Sequence, residues 1–212
     1  MSVISRDIAH DAAPRTQAER SAQSDAAMIE AAKALILERG TEKTTLQLIG
    51  ERAGYSRGLA SYRFGTKAGL FQAVGKSILR HWMSHLDKAV DGQVGIDAMC
   101  AAAEAYRRFI EKWPDEIRVL HILLCEAASP RSEFRQIADE SYQRQREDVA
   151  DWVRRGMDQG TVRSDVDPRS EGARYVAYIS GMTYLWLISP DAIDWQRVND
   201  DFRGQIRRTL AP

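Results

Sequence analysis

Hydrophobic positions recur every three or four residues along most of the chain, which is the period of an α-helix with one buried face. Met28, Leu35 and Ile36 begin this series, and the same spacing returns in later segments as far as Leu210. No stretch alternates apolar and polar residues with the period of two that a strand requires. The pattern predicts an all-α protein with nine helices.

Capping residues give the expected boundaries of the first helix. Residues 1–23 are polar and lack an apolar period, so they predict a flexible arm. Ser24 can accept hydrogen bonds from the first free amides of a helix, and Gly40 can supply a left-handed stop. A first helix is therefore predicted over residues 24–39.

Two short helical segments joined by a turn follow the first helix. Thr44, with Gln47 three residues later, matches a capping box, and Ser56 can cap the next segment after a turn of about four residues that contains glycine. Thr66 can then cap a long helix that begins near Lys67. This order predicts a helix-turn-helix followed by a larger helical region, with an arm at 1–23, a helix-turn-helix domain at 24–70 and a second helical domain at 71–212.

Composition places the chain among globular proteins and shows an uneven distribution of charge. Of the 212 residues, 44% are hydrophobic and 28% are charged, which excludes fibrous and wholly disordered classes. The 30 basic and 30 acidic residues cancel overall, but residues 1–90 hold 13 basic against 9 acidic groups. Glu51 is the single acidic residue in the basic window 43–80. A local excess of this kind suits a phosphate backbone.

Several other site types find no support in the sequence. The two cysteines, Cys100 and Cys125, have no metal-ligand or CxxC spacing, so neither a disulfide nor a zinc site is expected. His81 and His85 have helical metal-ligand spacing, but the sequence offers no third ligand. No nucleophile and base or paired carboxylates form a recognisable catalytic motif, and no segment resembles a membrane span or a signal peptide. We expect a cytoplasmic protein that has no cofactor and is not an enzyme.

The segment TEKTTLQLIGERAGYSRGLASYRFGTKAGLF, residues 41–71, resembles the DNA-binding domain of the tetracycline-repressor (TetR) family of bacterial transcriptional regulators. The family motif runs Thr-Thr, then Ile-Ala-x-x-Ala-Gly-Val-Ser, then Gly-x-x-Tyr-x-x-Phe-x-x-Lys and an apolar pair. The matching residues here are Thr44, Thr45, Ile49, Ala53, Gly54, Ser56, Gly58, Phe64, Lys67, Leu70 and Phe71.

The same segment departs from the family motif at several positions. Gly50 stands where alanine is usual, Tyr55 where valine is commonest, and Ser61 where the first tyrosine of the recognition helix is expected. Tyr62 keeps an aromatic ring one position later, and Arg63 replaces an aromatic residue or histidine. These changes leave the helical pattern intact.

The resemblance implies a two-domain, nine-helix regulator that acts as a homodimer in the cytoplasm. It further implies binding to a palindromic operator in double-stranded DNA and release by a small-molecule effector. A constitutive DNA-binding regulator without an effector remains the alternative, because cavity residues and core residues look alike in a sequence.

The second helix of a helix-turn-helix enters the major groove, so its polar residues are the candidate DNA contacts. Arg57 can hold guanine O6 and N7 together, although it can also reach only phosphate. The full DNA-binding set predicted here is Thr44, Thr45, Ser56, Arg57, Ser61, Tyr62, Arg63 and Lys67.

The resemblance also implies a ligand cavity in the middle of the chain and a dimer interface made by the last two long helices, near 169–189 and 195–210. Candidate cavity residues are Trp82, Tyr106, Phe109, Trp113, His121 and Cys125, each of which could equally be packed core. The helix at 169–189 is apolar on much of its circumference, so it needs a partner on more than one side. Candidate interface residues are Tyr175, Tyr178, Met182, Trp186, Phe202 and Ile206.

Overall fold

The computed structural model describes residues 16–129 and 132–212, and over these residues the chain forms nine α-helices and one short 3-10 helix. The predicted all-α class is confirmed. The helices are α1 Gln17–Arg39, α2 Leu46–Arg52, α3 Arg57–Phe64, α4 Lys67–Val90, α5 Gly95–Lys112, α6 Pro114–Ala127, α7 Arg135–Asp158, α8 Pro168–Ile188 and α9 Trp195–Leu210, with the 3-10 helix at Pro190–Ala192. None of the helices in the described ranges is both long and apolar enough to cross a membrane.

Helix α1 begins seven residues earlier than the sequence predicts. Thr16 caps it, since its hydroxyl accepts from the Glu19 amide and the Glu19 carboxylate accepts from the Thr16 amide. Ser24 is a buried residue within the helix, where its hydroxyl donates to the Ser21 carbonyl. The predicted flexible arm is therefore wrong for residues 17–23, and residues 1–15 lie outside the described part of the chain.

The cap of α2 is also displaced by one residue from its predicted position. Thr45 caps the helix by accepting from the Leu48 amide, whereas Thr44 is fully buried and donates its hydroxyl to the Gly40 carbonyl. The predicted caps of the next two helices, Ser56 and Thr66, are confirmed. Between α2 and α3 the backbone at Gly54 has a φ of +77°, a conformation that glycine adopts without strain.

The buried side chains form two clusters, and α4 belongs to both. Its first half contributes Leu70, Phe71 and Ile78 to a cluster with α1, α2, α3 and α6. Its second half contributes Trp82 and Leu86 to a cluster with α5, α7, α8 and α9. Burial of each such side chain stabilises the fold by about 1.5–3 kcal/mol. The long helix thus connects the helix-turn-helix to the larger bundle through packed side chains.

Helices α7 and α8 form the closest helix pair of the larger bundle. A Cβ atom on Gly172 would lie 2.3 Å from the Arg146 carbonyl oxygen, so a side chain there would force the two backbones apart. Helix α8 also contacts α5, because the Tyr175 hydroxyl donates to the Met99 carbonyl at 3.0 Å. These contacts fix one face of α8 inside the subunit.

Candidate nucleic-acid interface and internal cavity

The solvent-facing surface of α3 carries two large side chains that can reach another molecule. Tyr62 is 82% exposed, the highest value of any large hydrophobic side chain in the described residues. Arg57, one and a half turns earlier, is exposed and forms no ion pair within the described residues. A guanidinium without an ion pair and a phenol can each donate to base edges or phosphates.

Residues at the helix starts surround this surface. Thr45 and Ser56 are exposed, and each uses its hydroxyl as an acceptor for its own helix cap. Lys43 is exposed beside Thr45 and adds a positive charge that the motif comparison did not single out. Ser61 is half-buried on α3. The amide groups at the start of α2 add partial positive charge to the same surface.

Three predicted DNA contacts are engaged within the protein. The Arg63 guanidinium donates through Nε at 2.7 Å to Asp25 on α1, and a second N–H of the same group donates to the other oxygen of that carboxylate. Lys67 donates from Nζ to the carbonyls of Thr41 at 3.1 Å and Glu42 at 3.4 Å. Arg63 and Lys67 therefore hold α3 and α4 against α1 and the turn that follows it. Thr44 is fully buried, so its side chain offers no exposed surface to a phosphate in this structure.

A small, mainly apolar cavity of about 50 Å³, partly open to solvent, lies between α4, α5, α7 and α8. Two predicted ligand residues, Trp82 and Tyr106, line it with ring centroids 5.0 Å apart. Its remaining lining residues are Met83, Leu86, Ala102, Gln145, Asp148, Val149, Trp152, Tyr175, Val176 and Ile179. The polar groups in this wall are few, so the cavity suits a mainly apolar molecule.

The Tyr106 hydroxyl is a buried polar group of a residue in the cavity wall. It accepts a hydrogen bond from the Thr183 hydroxyl at 3.4 Å. Burial raises the pKa of Tyr106 to about 12, so this phenol stays neutral at physiological pH.

Phe109 and Trp113 form an aromatic layer outside the cavity rather than part of its wall. Phe109 is fully buried against Trp82, with ring centroids 5.4 Å apart, and Trp113 packs on Phe109 at 4.8 Å. His81 packs edge-on against Trp113 at 4.5 Å and donates or accepts through Nδ1 at 2.8 Å from Glu116 on α6. The same Glu116 binds Lys33 of α1 at 3.2 Å, so this layer extends to the helix-turn-helix.

The two remaining predicted ligand residues lie on α6 away from the cavity. His121 donates or accepts at Nδ1 with the Ile117 carbonyl at 3.1 Å, and burial lowers its pKa. Cys125 is exposed to solvent and does not line this cavity. The apolar periodicity of α6 shows on which face of the helix a residue lies, but it does not show which other helix covers that face.

The predicted interface residues are mostly buried inside the subunit. Tyr175, Phe202 and Ile206 are buried, and Tyr178 stacks on Phe202 with ring centroids 3.7 Å apart while its hydroxyl donates to the Val198 carbonyl. Met182 and Trp186 are partly buried against the same core. These residues therefore join α8 and α9 to the bundle of their own chain.

A different face of α8 is exposed and apolar. Tyr184, Leu185 and Ile188 are 51%, 50% and 61% exposed, which is unusual for side chains of this size. The small residues Ala173, Ala177 and Gly181 are exposed on the preceding turns of the same helix. The exposed face therefore combines a shallow surface, where a backbone could approach closely, with protruding apolar side chains.

Two family models match the chain. One describes bacterial regulatory proteins of the tetR family and matches residues 28–74, which contain the helix-turn-helix. The other describes the C-terminal domain of BetI-type transcriptional repressors and matches residues 114–211. The chain belongs to the TetR family. The match to residues 28–74 confirms the resemblance in the motif, and the second match extends it to the larger bundle.

Curated relatives support the assignment to TetR-family regulators across most of the chain. The HTH-type transcriptional regulator TtgR of Pseudomonas putida is 28% identical over 185 residues, which cover 85% of this chain and 88% of TtgR. The uncharacterized HTH-type transcriptional regulator YfiR of Bacillus subtilis (strain 168) is 23% identical over 147 residues, covering 69% and 72% of the two chains.

Solved structures of TetR-family proteins share the fold of this chain. The SmeT–triclosan complex has a TM-score of 0.77 at 21% identity and covers 89% of this chain and 92% of SmeT. NalD, the secondary repressor of the MexAB-OprM multidrug efflux pump in Pseudomonas aeruginosa, has a TM-score of 0.69 at 21% identity, covering 91% and 97%. The protein is thus a TetR-family transcriptional regulator with an N-terminal helix-turn-helix and a C-terminal helical domain.

Some residues that line the cavity were not predicted from the sequence. Asp148, Met83 and Trp152 line the cavity, but they lie on the long polar helix α7 and on the partly exposed side of α4. The available signal was the presence of Trp152 on a strongly charged helix, since a large aromatic residue there needs a buried partner.

Proposed function

We propose that this TetR-family regulator is a homodimeric repressor that binds a palindromic operator through α3 and releases it when a small molecule occupies the cavity. The observation that carries this proposal is the dual packing of α4. One half of this helix packs with the helix-turn-helix and the other half lines the cavity. A change at the cavity can therefore reach α3 through one continuous helix.

In the proposed complex, α3 lies in the major groove and Arg57 and Tyr62 contact base edges. Arg57 suits a guanine, because its two N–H groups match the O6 and N7 acceptors. Thr45, Ser56 and Lys43 flank the groove and hold phosphates, while Arg63 and Lys67 keep α3 and α4 in place. The surface then divides into residues that read bases and residues that position the protein.

The proposed dimer forms through the exposed apolar face of α8, together with α9. The small residues at 173, 177 and 181 allow two copies of α8 to approach closely, and Leu185 and Ile188 fill the space beyond them. A two-fold symmetric contact of this kind presents two copies of α3 to the same side of the DNA. Two half-sites about 34–36 Å apart would then be read by one cytoplasmic dimer.

Induction follows from the length and packing of α4. Its 24 residues span about 36 Å, from the turn after α3 to the far end of the cavity. A ligand larger than the cavity must push α4 away from α7, and this movement reaches α3 through the core that Leu70 shares with it, while Lys67 ties α4 to the turn before α2. The ligand and the operator then weaken each other's binding by the same factor, typically corresponding to about 1–3 kcal/mol.

A constitutive DNA-binding regulator is the second candidate, and the size of the cavity favours it. The cavity volume of about 50 Å³ is far smaller than the roughly 300–1,000 Å³ that small-molecule sites usually provide. Under this alternative the cavity is a packing defect, and no ligand changes the affinity for DNA.

Both candidate functions require sequence-specific DNA binding by a dimer, and selection of bound sequences from a random DNA pool tests this requirement. The expected result is a palindromic consensus with half-sites about one helical turn apart. A consensus without two-fold symmetry would contradict the dimeric arrangement, and the absence of any enriched sequence would contradict specific DNA binding. A screen for small molecules that raise the melting temperature, followed by titration with and without operator, separates the two candidates.

A further inference from the structure

The cavity adjoins an open cleft between α4 and α7, since the two share several lining residues. One part of the cleft has a volume of about 720 Å³ and shares Trp82, Met83 and Gln145 with the cavity. Another part, of about 330 Å³, shares Met83, Leu86, Asp148 and Trp152 with it. Met83 lines all three spaces, and its unbranched side chain can change rotamer at little cost.

The wall of the cavity next to the cleft is mainly aromatic and includes one carboxylate. Trp82, Tyr106 and Trp152 line the cavity, and Asp148 lies where the cavity meets the smaller part of the cleft. Asp148 is 39% exposed, and the cation nearest to its carboxylate in the described residues is Arg144, at 3.8 Å. Because the Arg144 side chain is 69% exposed, that ion pair neutralises the carboxylate only weakly.

The larger part of the cleft is lined by Lys76, Arg80, Lys88 and Arg144 against Asp87 and Glu140, whereas the smaller part, around Asp148, holds more acidic than basic groups. Asp87 and Asp91 face this part of the cleft from α4 and the turn after it, and Asp151 faces it from α7. The basic groups there are Arg144 and Arg155, both on α7. Burial raises the pKa of Asp148, and the carboxylates of Asp151 and Asp87 add to this effect against the opposing influence of Arg144. A bound cation would relieve this repulsion.

We propose that the effector is a hydrophobic cation whose apolar body displaces Met83 between the aromatic walls and whose positive group binds Asp148. This inference rests on the proposed function and names the chemical class of its effector. Aromatic side chains attract cations as well as apolar groups, so the three rings and the carboxylate select the same kind of molecule. An amphipathic anion of equal length would meet the same apolar wall but would be repelled at Asp148.

Calorimetric titration of the whole protein with two matched probes tests the inference. The probes are decyltrimethylammonium and decyl sulfate, both used below the concentrations at which they form micelles. We expect the ammonium probe to bind at least tenfold more tightly than the sulfate. Asp148→Asn should remove this preference, because it keeps the shape of the side chain and deletes the charge. Glu147→Gln is the matched control and should retain the preference, since it deletes an exposed carboxylate next to Asp148 on α7 that lines neither the cavity nor the cleft.

Each outcome of the titration either supports or overturns the assignment. Equal binding of the two probes, no binding of the ammonium probe, or an unchanged preference in Asp148→Asn would overturn it, provided that the melting temperature shows the variant to be folded. A separate measurement of operator binding distinguishes the two proposals. If the ammonium probe binds through Asp148 but leaves operator affinity unchanged, the assignment of Asp148 stands and the proposed induction fails.

Discussion

Arg57 and Arg63 lie on the same short helix and have different environments. Arg57 forms no ion pair within the described residues, whereas Arg63 binds Asp25 of α1 through two N–H groups. A guanidinium that is already paired has fewer donors left for DNA. Under the proposed function, these two arginines have different tasks: Arg57 reads DNA, and Arg63 holds α3 against α1.

Replacement of each arginine by alanine should separate these tasks. Arg57→Ala should cost roughly 1–3 kcal/mol of operator binding and relax one base position, with the melting temperature unchanged. Arg63→Ala should lower the melting temperature and weaken binding to all DNA sequences. Fluorescence anisotropy with operator and with random DNA, together with thermal unfolding, checks both. Equal loss on both DNAs for Arg57→Ala would contradict base reading.

Glu104 on α5 is the centre of a charged network that connects α5 to α9. Its carboxylate accepts from Arg107 at 2.9 Å, Arg108 at 2.7 Å and Asn199 of α9 at 3.0 Å. The hydrogen bond from Arg107 is the main cause that lowers the pKa of Glu104 to about 2, against the opposing effect of burial. The side chain is 17% exposed, so the surrounding protein screens these interactions less than bulk water would.

Because the pKa of Glu104 is lower in the folded state, its carboxylate stabilises the protein at pH values above the ordinary pKa of a glutamate. This contribution should be lost as the pH falls from about 4.5 through about 2, because the unfolded chain then binds a proton more readily than the folded one. Glu104→Gln should lower the free energy of unfolding at neutral pH by roughly 1–3 kcal/mol. The same substitution should also make the free energy of unfolding, measured by urea denaturation, depend less on pH between about pH 5 and pH 2.

Asp97→Asn supplies the control for Glu104 on the same helix. The Asp97 side chain is 77% exposed and lies 3.9 Å from Arg207, so its removal should leave the acid dependence nearly unchanged. An identical acid dependence for Glu104→Gln and the unmodified protein would show that the network does not stabilise the fold.

At the scale of the element, the junction between α3 and α4 is held by a close backbone contact. A Cβ on Gly69 would lie 2.2 Å from the Phe64 carbonyl oxygen, which belongs to the last residue of α3. Gly75, on the same helix, has its nearest neighbour, a Leu123 methyl group, at 3.9 Å. The angle between the recognition helix and α4 thus depends on a position where only hydrogen fits.

Alanine at these two glycines should have opposite effects. Gly69→Ala should displace α3 and destabilise the protein by about 1–3 kcal/mol, with a further loss of operator affinity. Gly75→Ala should be neutral or stabilise α4 by roughly 0.5–1 kcal/mol, because alanine is the better helix former. Thermal unfolding and DNA titration of the pair check this difference. Wild-type DNA affinity in Gly69→Ala would show that the junction does not orient α3.

The helices themselves could be predicted from the sequence more reliably than their caps. The 3.6-residue period located every helix, and Ser56 and Thr66 were identified as caps from their position before an apolar run. Ser24 and Thr44 have equally suitable hydroxyls, but they lie inside the protein and donate to carbonyls of nearby residues instead. A hydroxyl near a helix start is therefore compatible with two roles, and burial decides between them.

The candidate sites were less predictable because periodicity does not identify the neighbour of a buried face. Trp82 and Tyr106 line the cavity, while Phe109 packs behind it and Cys125 is exposed. Phe202 is apolar enough for an interface, yet Tyr178 of the same chain stacks on it. These distinctions depend on how helices distant in the sequence meet, and that information is absent from any single helix.

At the scale of the whole molecule, the exposed apolar face of α8 determines the expected assembly. Leu185→Glu would place a carboxylate in the proposed interface without disturbing the core, since Leu185 is 50% exposed in the subunit. We expect at least a tenfold increase in the dimer dissociation constant, about 1.4 kcal/mol, with helical content unchanged. Phe202→Asp should instead unfold the subunit, because Phe202 is buried within it.

Sedimentation equilibrium across a range of protein concentrations measures this change. Arg118→Glu, an exposed substitution on α6, is the control and should sediment like the unmodified protein. A monomeric unmodified protein at micromolar concentration would contradict the dimer, and an unchanged dissociation constant for Leu185→Glu would place the interface elsewhere.

The aromatic layer around Trp82 and Trp113 has a spectroscopic consequence. All five tryptophans, at positions 82, 113, 152, 186 and 195, follow the helix-turn-helix, which contains none. Indole emission therefore reports only on the larger bundle, while far-ultraviolet circular dichroism reports on both parts. Because α4 and α6 contribute side chains to the core of the helix-turn-helix, the two signals should change at the same temperature if the parts unfold cooperatively. Because all tryptophans lie in the larger bundle, comparing indole emission with circular dichroism in the unmodified chain shows whether the helix-turn-helix unfolds together with that bundle.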